Sequence, residues 1–197
     1  MDFIVVGINH KSAPLEIREL FYLDPAQQDL LLCELKSNPR IMEACVLSTC
    51  NRVEIYANAL DRESLDLDAV IHLIFRIKKT APAAQPCHCF YRYFNQEAVR
   101  HLFEVVCGLD SLVLGEDQIL GQVRTAFENA KRFGMLDRQL NILANLTIRV
   151  GKKARQETNI AVGGSSISWA AIAKAEMILG DLKERSVLVM GAGAMSE

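Results

Sequence analysis

Residues 44–59 read ACVLSTCNRVEIYANA, two apolar, strand-like runs joined by a short polar gap. Apolar and polar side chains alternate over 53–59, which predicts a β-strand with one buried face. The run 44–47 is continuously apolar and predicts a second strand. Because connections between strands lie at the surface, the gap places the thiol of Cys50 where a ligand can reach it.

The polar gap carries candidate catalytic chemistry. A cysteine attacks a carbonyl carbon only as the thiolate, and nearby positive charge lowers the pKa of the thiol. Arg52, two residues further on, can supply that charge or bind a substrate carboxylate through two nitrogens. The alternative is a buried structural cysteine beside an exposed arginine, since free cysteine commonly packs as a small apolar residue.

Outward from this pair of strands, the chain predicts a β-α-β-β-α-β unit. Asp24 is a typical helix N-cap, Pro25 suits the first helical position, and Ser12 is the cap type expected for the preceding helix. The predicted elements are strands 3–8, 44–47, 53–59 and 90–93, and helices 14–20, 25–37 and 68–79. The predicted fold class is therefore α/β, in the α+β sense, built on a ferredoxin-like unit.

The chain after this unit reads as helical almost to its last residues. Helices are predicted around His101 and over 118–133, 137–158 and about 165–179. A short apolar strand, 186–190, then leads into Gly-Ala-Gly, which is typical of the start of a Rossmann-type dinucleotide-binding domain. We expect a catalytic domain at 1–160, and at 161–197 a linker helix with the truncated start of that second domain.

Composition restricts the class of protein. Half of the 197 residues are hydrophobic, the net charge is −2, and no apolar run approaches the roughly 20 residues of a membrane span. The six cysteines lack the spacing of a disulfide scaffold and the N-terminus does not resemble a signal peptide, so we expect a cytoplasmic protein with free thiols. Residues 87–89, Cys-His-Cys, have no second ligand pair at zinc spacing, so we expect no metal.

Positive charge is concentrated in one helical stretch. Residues 119–160 carry eight basic and three acidic side chains inside a slightly acidic chain. Arg149, Lys152 and Lys153 fall away from the apolar face of the predicted 137–158 helix and form a stripe, which is a candidate phosphate-facing surface. The alternative is an ordinary solvated helix face.

Four segments, taken in order, resemble the glutamyl-tRNA reductase family. They are GINHKSAP at 7–14, STCNR at 48–52, GLDSLVLGEDQILGQV at 108–123 and VLVMGAGAMSE at 187–197. The first and third segments are long and unlike generic motifs, and the resemblance extends over essentially the whole chain.

The resemblance implies an oxidoreductase that uses NADPH to reduce glutamyl-tRNA(Glu) to glutamate-1-semialdehyde, the first step of tetrapyrrole (porphyrin) biosynthesis. Cys50 becomes the nucleophile that forms a thioester, His101 becomes a second catalytic residue, and Asn9 and His10 border the pocket. The implied substrate-binding residues are Thr49, Cys50, Asn51, Arg52, Ser111, Glu116, Asp117, Gln118 and Gln122. The implied NADPH-binding residues are Gly191, Ala192, Gly193, Ala194, Met195 and Ser196.

Simpler interpretations stand beside these implied roles. His101 occupies a position where an amphipathic helix places a core histidine. Glu116 and Asp117 fall in the first turn of a helix, where the helix dipole favours acids. Gly-x-Gly after a single strand is weak evidence for a nucleotide site, and Ser196 stands where the fingerprint has its third glycine or alanine.

The resemblance also implies partners: charged tRNA, a second copy of the protein bound through a C-terminal region absent here, and, as a further candidate, glutamate-1-semialdehyde aminomutase. The alternative function is a tRNA-binding or regulatory module, or a glutamyl-tRNA esterase, with no reductase activity. Because no side chain donates a hydride, we expect the 197-residue chain alone to be at most an esterase.

Overall fold

A four-stranded antiparallel sheet in the order β2-β3-β1-β4 is the centre of the fold. The computed structural model describes residues 2–61, 65–79, 86–160, 167–183 and 185–188. The strands are β1 (Asp2–Asn9), β2 (Ile41–Ser48), β3 (Arg52–Ala59) and β4 (Tyr91–Phe94). All four predicted strands are confirmed, with slightly different ends, and β1 and β3 pair along their whole lengths.

Helices connect the strands and follow them. Those inside the strand region are α1 (Leu15–Phe21), α2 (Pro25–Lys36) and α3 (Leu67–Lys78), and those after it are α4 (Asn95–Val106), α5 (Gln118–Arg132), α6 (Arg138–Glu157) and α7 (Ile167–Leu179). Each corresponds to a predicted helix, although the predicted start of α7 lies outside the described residues. The protein is therefore a mixed α/β fold.

Two apolar cores lie on opposite faces of the sheet. Ile4, Val6 and Ile8 of β1 belong to the core that also contains buried residues of α1, α2 and α3. Val5 and Tyr56 belong to the other core, which also contains buried residues of α4, α5 and α6. The alternation of side chains along each strand assigns neighbouring residues to different cores, and helices cover both faces of the sheet.

The prediction that β3 has one buried face is wrong, because all eight of its residues are buried. The alternating pattern suggested a solvated face, but α4, α5 and α6 cover that face. Its polar residues have partners there: Asn58 Nδ2 donates to Glu43 Oε2 at 2.8 Å, and Glu54 is wholly buried in the ionic network described below. Paired polar groups can occupy an interior at modest cost.

The helix starts show where local sequence decided the structure. At α2, the Asp24 side chain accepts from the Gln27 N–H at 2.9 Å and the Gln27 side chain accepts from the Asp24 N–H at 3.1 Å, a complete capping box. The prediction that Ser12 caps α1 is wrong, since Pro14 holds that position. Ser12 Oγ instead accepts from the Asn9 N–H at 3.0 Å and so closes the turn after β1.

Two further observations concern the predicted boundaries. In the part of the chain that the structure describes, no helix is long and apolar enough to cross a bilayer. The strand predicted at 186–190 is not formed at 186–188, where Val187 and Leu188 are about four-fifths exposed. A strand requires a hydrogen-bonded neighbour, and none of the described strands pairs with this segment.

Candidate functional site

Cys50 lies in the short connection between β2 and β3. The Thr49 N–H donates to the Arg52 carbonyl at 2.8 Å, and the Asn51 N–H donates to Thr49 Oγ1 at 3.1 Å. Arg18 of α1 donates to the Cys50 carbonyl at 2.9 Å and to Asn51 Oδ1 at 3.1 Å. These bonds hold the backbone while the Cys50 side chain is exposed, so the alternative of a buried structural cysteine is wrong.

The charges around Cys50 differ from those the sequence suggested. Burial of part of the side chain raises the pKa of the Cys50 thiol, the Glu116 carboxylate raises it further, and its own backbone and Arg18 lower it. Glu116 itself is 8% exposed, and burial raises the pKa of its carboxyl while Arg52 lowers it. Of the two roles predicted for Arg52, supplying positive charge to Cys50 or binding a substrate carboxylate, the structure gives the first to Arg18, which is the cation that lowers the pKa of the thiol.

The Arg52 side chain is engaged inside the protein. Its side chain is 1% exposed, and one terminal nitrogen donates to Glu54 Oε1 at 2.8 Å and to Asp110 Oδ2 at 3.1 Å. The other terminal nitrogen donates to the Asp110 carbonyl. Its implied role in binding a substrate carboxylate stays a prediction.

Glu54 is the centre of this buried network. Its carboxylate accepts from Arg52, from His101 Nε2 at 2.7 Å, and from the hydroxyls of Tyr56 and Tyr91. Burial opposes ionisation, but Arg52 and His101 outweigh it and hold the pKa of Glu54 well below its usual range. Burial and the Glu54 charge in turn raise the pKa of both tyrosines. All four of these donors reach the Glu54 carboxylate, which favours a single fixed arrangement of the network.

His101 belongs to this network. It is 7% exposed, and its ring lies 5.3 Å from the Tyr91 ring and 4.9 Å from the Tyr93 ring, centroid to centroid. Its hydrogen-bond partner among the described residues is Glu54, not Cys50. It also lines a cavity of about 420 Å³ that Lys11 and Asp110 share. The geometry gives His101 a way to act through Glu54 on Arg52, and a direct catalytic role stays a prediction.

Asp110 joins the end of β1 to the network. Its carboxylate accepts from Asn9 Nδ2 at 3.0 Å and from Arg52, and it pairs with Lys11 Nζ. Although burial raises the pKa of Asp110, Lys11, Arg52 and His101 outweigh it and lower the pKa below the ordinary value. The prediction that Asn9 borders the site therefore gains a specific contact. His10, half-buried beside these residues, has a buried Nδ1 without a hydrogen-bond partner in the described structure.

The two implied glutamines line a groove beside the thiol loop. Gln118 and Gln122 of α5 face Gln28 of α2 across a cavity of about 780 Å³, and Ser48, two residues before Cys50, forms part of its wall. Glutamine side chains offer both donors and acceptors, as the polar groups of a ligand site do. The structure thus brings the β2–β3 connection and the start of α5 to the same end of the sheet.

Other predicted residues are placed less directly. Ser111 is half-buried between Asp110 and the start of α5, and Asp117 is exposed with its Oδ1 3.5 Å from Arg155 Nε. The implied cofactor residues, Gly191, Ala192, Gly193, Ala194, Met195 and Ser196, lie outside the described residues. In the described ranges, no group of three histidine, cysteine or acidic side chains has the arrangement of a metal site.

The basic stripe is present on α6. Arg149, Lys152 and Lys153 are exposed, while Leu140, Ala144 and Thr147 of the same helix are buried. The predicted separation of apolar and cationic faces is confirmed. Lys153 has an acidic neighbour, Glu157, at 3.8 Å on the same helix, a pair of little energetic weight at this exposure.

Sequence reasoning missed four residues of the site: Arg18, Glu54, Asp110 and Arg155. Glu54 lies between the β-branched residues Val53 and Ile55, and an acid flanked in this way was a usable signal, because buried carboxylates occur with partners. Asp110 lies in the segment 108–123 that carries the family resemblance, but it was given no role there. The two arginines carried no local signal, since their partners are distant in the chain.

Comparisons with known proteins find close sequence relatives. A family model described as "Glutamyl-tRNAGlu reductase, N-terminal domain" matches residues 6–158. The chain is 43% identical over 197 residues to a glutamyl-tRNA reductase of Pelotomaculum thermopropionicum and 43% identical over 196 residues to one of Heliobacterium mobile. All of this chain aligns in both cases, against 44% of each relative, so the chain spans less than half the length of these relatives.

A solved structure extends the likeness to three dimensions. The chain superposes on glutamyl-tRNA reductase from Methanopyrus kandleri with a TM-score of 0.69 at 36% sequence identity. The match covers 98% of this chain and 44% of that one. At this identity the likeness extends to sequence as well as to fold.

Proposed function

Because the chain belongs to the glutamyl-tRNA reductase family, we propose that the protein carrying it reduces glutamyl-tRNA(Glu) to glutamate-1-semialdehyde through a thioester on Cys50. One observation carries the proposal: Cys50 is exposed on a connection between two strands that Arg18 holds in place. The reaction is the first step of tetrapyrrole biosynthesis, and the protein is an oxidoreductase.

The first chemical step needs only residues of this chain and the tRNA. The Cys50 thiolate attacks the ester carbonyl carbon, a sulfur–carbon bond forms, and the carbon–oxygen bond to the terminal ribose breaks. The ribose oxygen leaves and takes up a proton. Since the pKa of Cys50 is raised, the thiol must lose its proton in the complex, and a cationic group that neutralises Glu116 favours that loss.

Glu116 suits recognition of the substrate α-ammonium group. Its carboxylate is buried, lies close enough to affect Cys50, and receives no hydrogen bond from the described side chains. Thr49 and Asn51 hold the thiol loop, and Gln118 and Gln122 line the adjacent groove, so each has a position from which to orient the glutamyl group. Ser111 and Asp117 are kept as proposed contacts on the family resemblance alone.

NADPH, when bound, supplies the hydride that turns the thioester into an aldehyde and returns the cysteine. The proposed nucleotide site at 191–196 lies outside the described residues, so its support is the sequence pattern Gly-x-Gly and the family. We propose that 161–197 links the catalytic domain, 1–160, to a Rossmann-type NADP-binding domain. Dimerisation, association with the aminomutase and a cytoplasmic location are likewise proposals drawn from the family.

We also propose that the strand region is ferredoxin-like. The order β2-β3-β1-β4 with antiparallel neighbours supports this, as do the helical crossovers between β1 and β2 and between β3 and β4. The alternative function, a binding or esterase module without reductase activity in the whole protein, is not favoured, because the relatives are named reductases.

Trapping a glutamyl adduct tests the proposal. The wild-type protein, without NADPH, is mixed with charged tRNA and digested, and mass spectrometry maps the modified residue. We expect the adduct on Cys50, its loss in Cys50→Ser, and its retention in Cys33→Ser, the matched control at another exposed cysteine. We further expect the 197-residue chain to release glutamate slowly to water and to form no aldehyde. An adduct that persists in Cys50→Ser contradicts the proposal.

A further inference from the structure

One arginine joins three helices close to the thiol loop. A terminal nitrogen of Arg155, in the last turn of α6, donates to the Val106 carbonyl at 2.9 Å and to the Gly151 carbonyl at 2.9 Å. The other donates to the Glu116 carbonyl at 3.0 Å. Val106 is the last residue of α4, and Glu116 lies just before α5, so the side chain satisfies carbonyls from three parts of the chain.

The segment that Arg155 holds has little regular structure of its own. Residues 107–117 run between α4 and α5 and bond internally through the Gly115 N–H to the Gly108 carbonyl at 3.0 Å. Gly115 has a φ of +79°, and an added Cβ there would lie 1.9 Å from the Ile160 carbonyl oxygen. The backbone is therefore pressed against the turn after α6 on one side and bonded to Arg155 on the other.

This clamp acts on a residue that carries a functional carboxylate. The bond from Arg155 is to the backbone of Glu116, and the Glu116 carboxylate raises the pKa of the Cys50 thiol. The Arg155 side chain is 13% exposed, and its Nε has no hydrogen bond in the described structure, although Asp117 Oδ1 is 3.5 Å away. A guanidinium so deeply placed, with three carbonyl partners, is more rigid than a surface arginine.

We infer that Arg155 is a positioning residue: by holding the backbone of Glu116 it sets the place from which the Glu116 carboxylate acts on the thiol site, and so links the basic helix α6 to that site. The inference rests on the proposed function for its catalytic meaning. Its structural part, the placement of Glu116 by Arg155, does not depend on tRNA or cofactor.

The charged groups that face the two side chains can be named. Glu116 and Arg18 face Cys50, from the 107–117 segment and from α1, and Arg52 of β3 acts on Glu116. Removing the Glu116 charge leaves Arg18 as the charged group facing the thiol, so the pKa of Cys50 falls. If Arg155 places Glu116, removal of Arg155 must shift the Cys50 titration in the same direction as Glu116→Gln.

The test measures alkylation of Cys50 by iodoacetamide from pH 6 to 10 in the full-length protein, with the rate at each cysteine read by peptide mass spectrometry. Variants are Glu116→Gln, Arg155→Met, both together, and Arg155→Lys. Arg149→Met, an exposed arginine of the same helix, is the matched control, and the exposed Cys33 is the internal reference for reagent and folding.

We expect Glu116→Gln and Arg155→Met each to speed Cys50 alkylation at neutral pH by about threefold. A lower pKa increases the fraction of thiolate but makes that thiolate a weaker nucleophile, so the gain in rate is smaller than the gain in thiolate. The double variant should match Glu116→Gln alone, Arg155→Lys should fall between Arg155→Met and wild type, and Arg149→Met should match wild type. With charged tRNA, Arg155→Met should slow glutamyl transfer although its thiol is alkylated faster.

The inference fails if Arg155→Met leaves the pH profile of Cys50 alkylation unchanged. It also fails if Arg155→Met shifts that profile by the same amount whether residue 116 is glutamate or glutamine. General loosening of the fold would also speed alkylation of the buried Cys45, which serves as the check on that outcome. Because the alkylation needs no tRNA, these results are independent of whether glutamyl transfer to Cys50 is observed.

Discussion

Replacement of Glu54 by glutamine tests the buried network. The substitution keeps the shape but removes the charge from a side chain that is wholly buried, and it places an NH₂ group where the carboxylate accepted hydrogen bonds from Arg52, His101, Tyr56 and Tyr91. Removing one partner of a buried ion pair costs about 3–5 kcal/mol. We expect about 3 kcal/mol, the lower end of that range, since Asp110 remains as a second partner of Arg52.

Thermal or urea unfolding followed by circular dichroism measures this loss. For a chain of this size, 3 kcal/mol corresponds to a fall in Tm of roughly 6–12 °C. Glu34→Gln is the matched control, because Glu34 also forms an ion pair, with Arg76 at 2.7 Å, but at an exposed site where such pairs contribute about 0.2–1 kcal/mol. Equal destabilisation by the two substitutions would refute the assignment of Glu54 as the centre of the network.

The same variant predicts a pH dependence. Because the pKa of Glu54 is lower in the folded protein than its ordinary value of 4.5, ionised Glu54 stabilises the fold fully above about pH 4.5. That contribution is lost as the pH falls from there toward the pKa of the folded state. The stability difference between wild type and Glu54→Gln should therefore shrink as the pH falls below 4.5. A difference that grew with acid would contradict this sign.

Two further predictions concern backbone and charge. Gly115→Ala should destabilise the fold by more than 1 kcal/mol, because its φ is positive and its Cβ would meet the Ile160 carbonyl, whereas Gly121→Ala, in open space on α5, should stabilise by about 0.5–1 kcal/mol. Urea midpoints compare the two, and a neutral Gly115→Ala would refute the close approach. The three exposed cations of α6 are Arg149, Lys152 and Lys153. Their replacement by glutamine should make the plot of log K for tRNA binding against log salt concentration less steep, reducing the size of its slope by up to about 2. An unchanged slope in filter-binding titrations would favour an ordinary solvated helix face.

Most of the secondary structure could be predicted because its signals are local. The capping residue Asp24 and the proline after it define the start of α2, and the alternation in 53–59 defines a strand. The burial of both faces of that strand was not predictable in the same way. The covering helices α4, α5 and α6 come 36 or more residues later, and the pattern of a strand does not report what packs on it.

The site was predictable in position but not in its contacts. The polar gap between two strands correctly placed Cys50 at the surface, and the quoted motifs identified the family. The partner of Arg52 was misjudged, since proximity in sequence suggested Cys50 while the fold supplied Glu54 and Asp110. The strength of an ion pair depends on the distance between the two charges in space and increases in the low-dielectric interior, so nearness in sequence does not identify the partner.

The sequence alone determined the strands and helices, the surface position of the reactive thiol and the family, because each depends on residues close together in the chain. Tertiary structure alone decided the long-range contacts of the site. Arg18 reaches the Cys50 carbonyl across 32 positions, Asp110 reaches Arg52 across 58, and Arg155 reaches Glu116 across 39. Such contacts form only when distant elements pack against one sheet, and no local pattern encodes them.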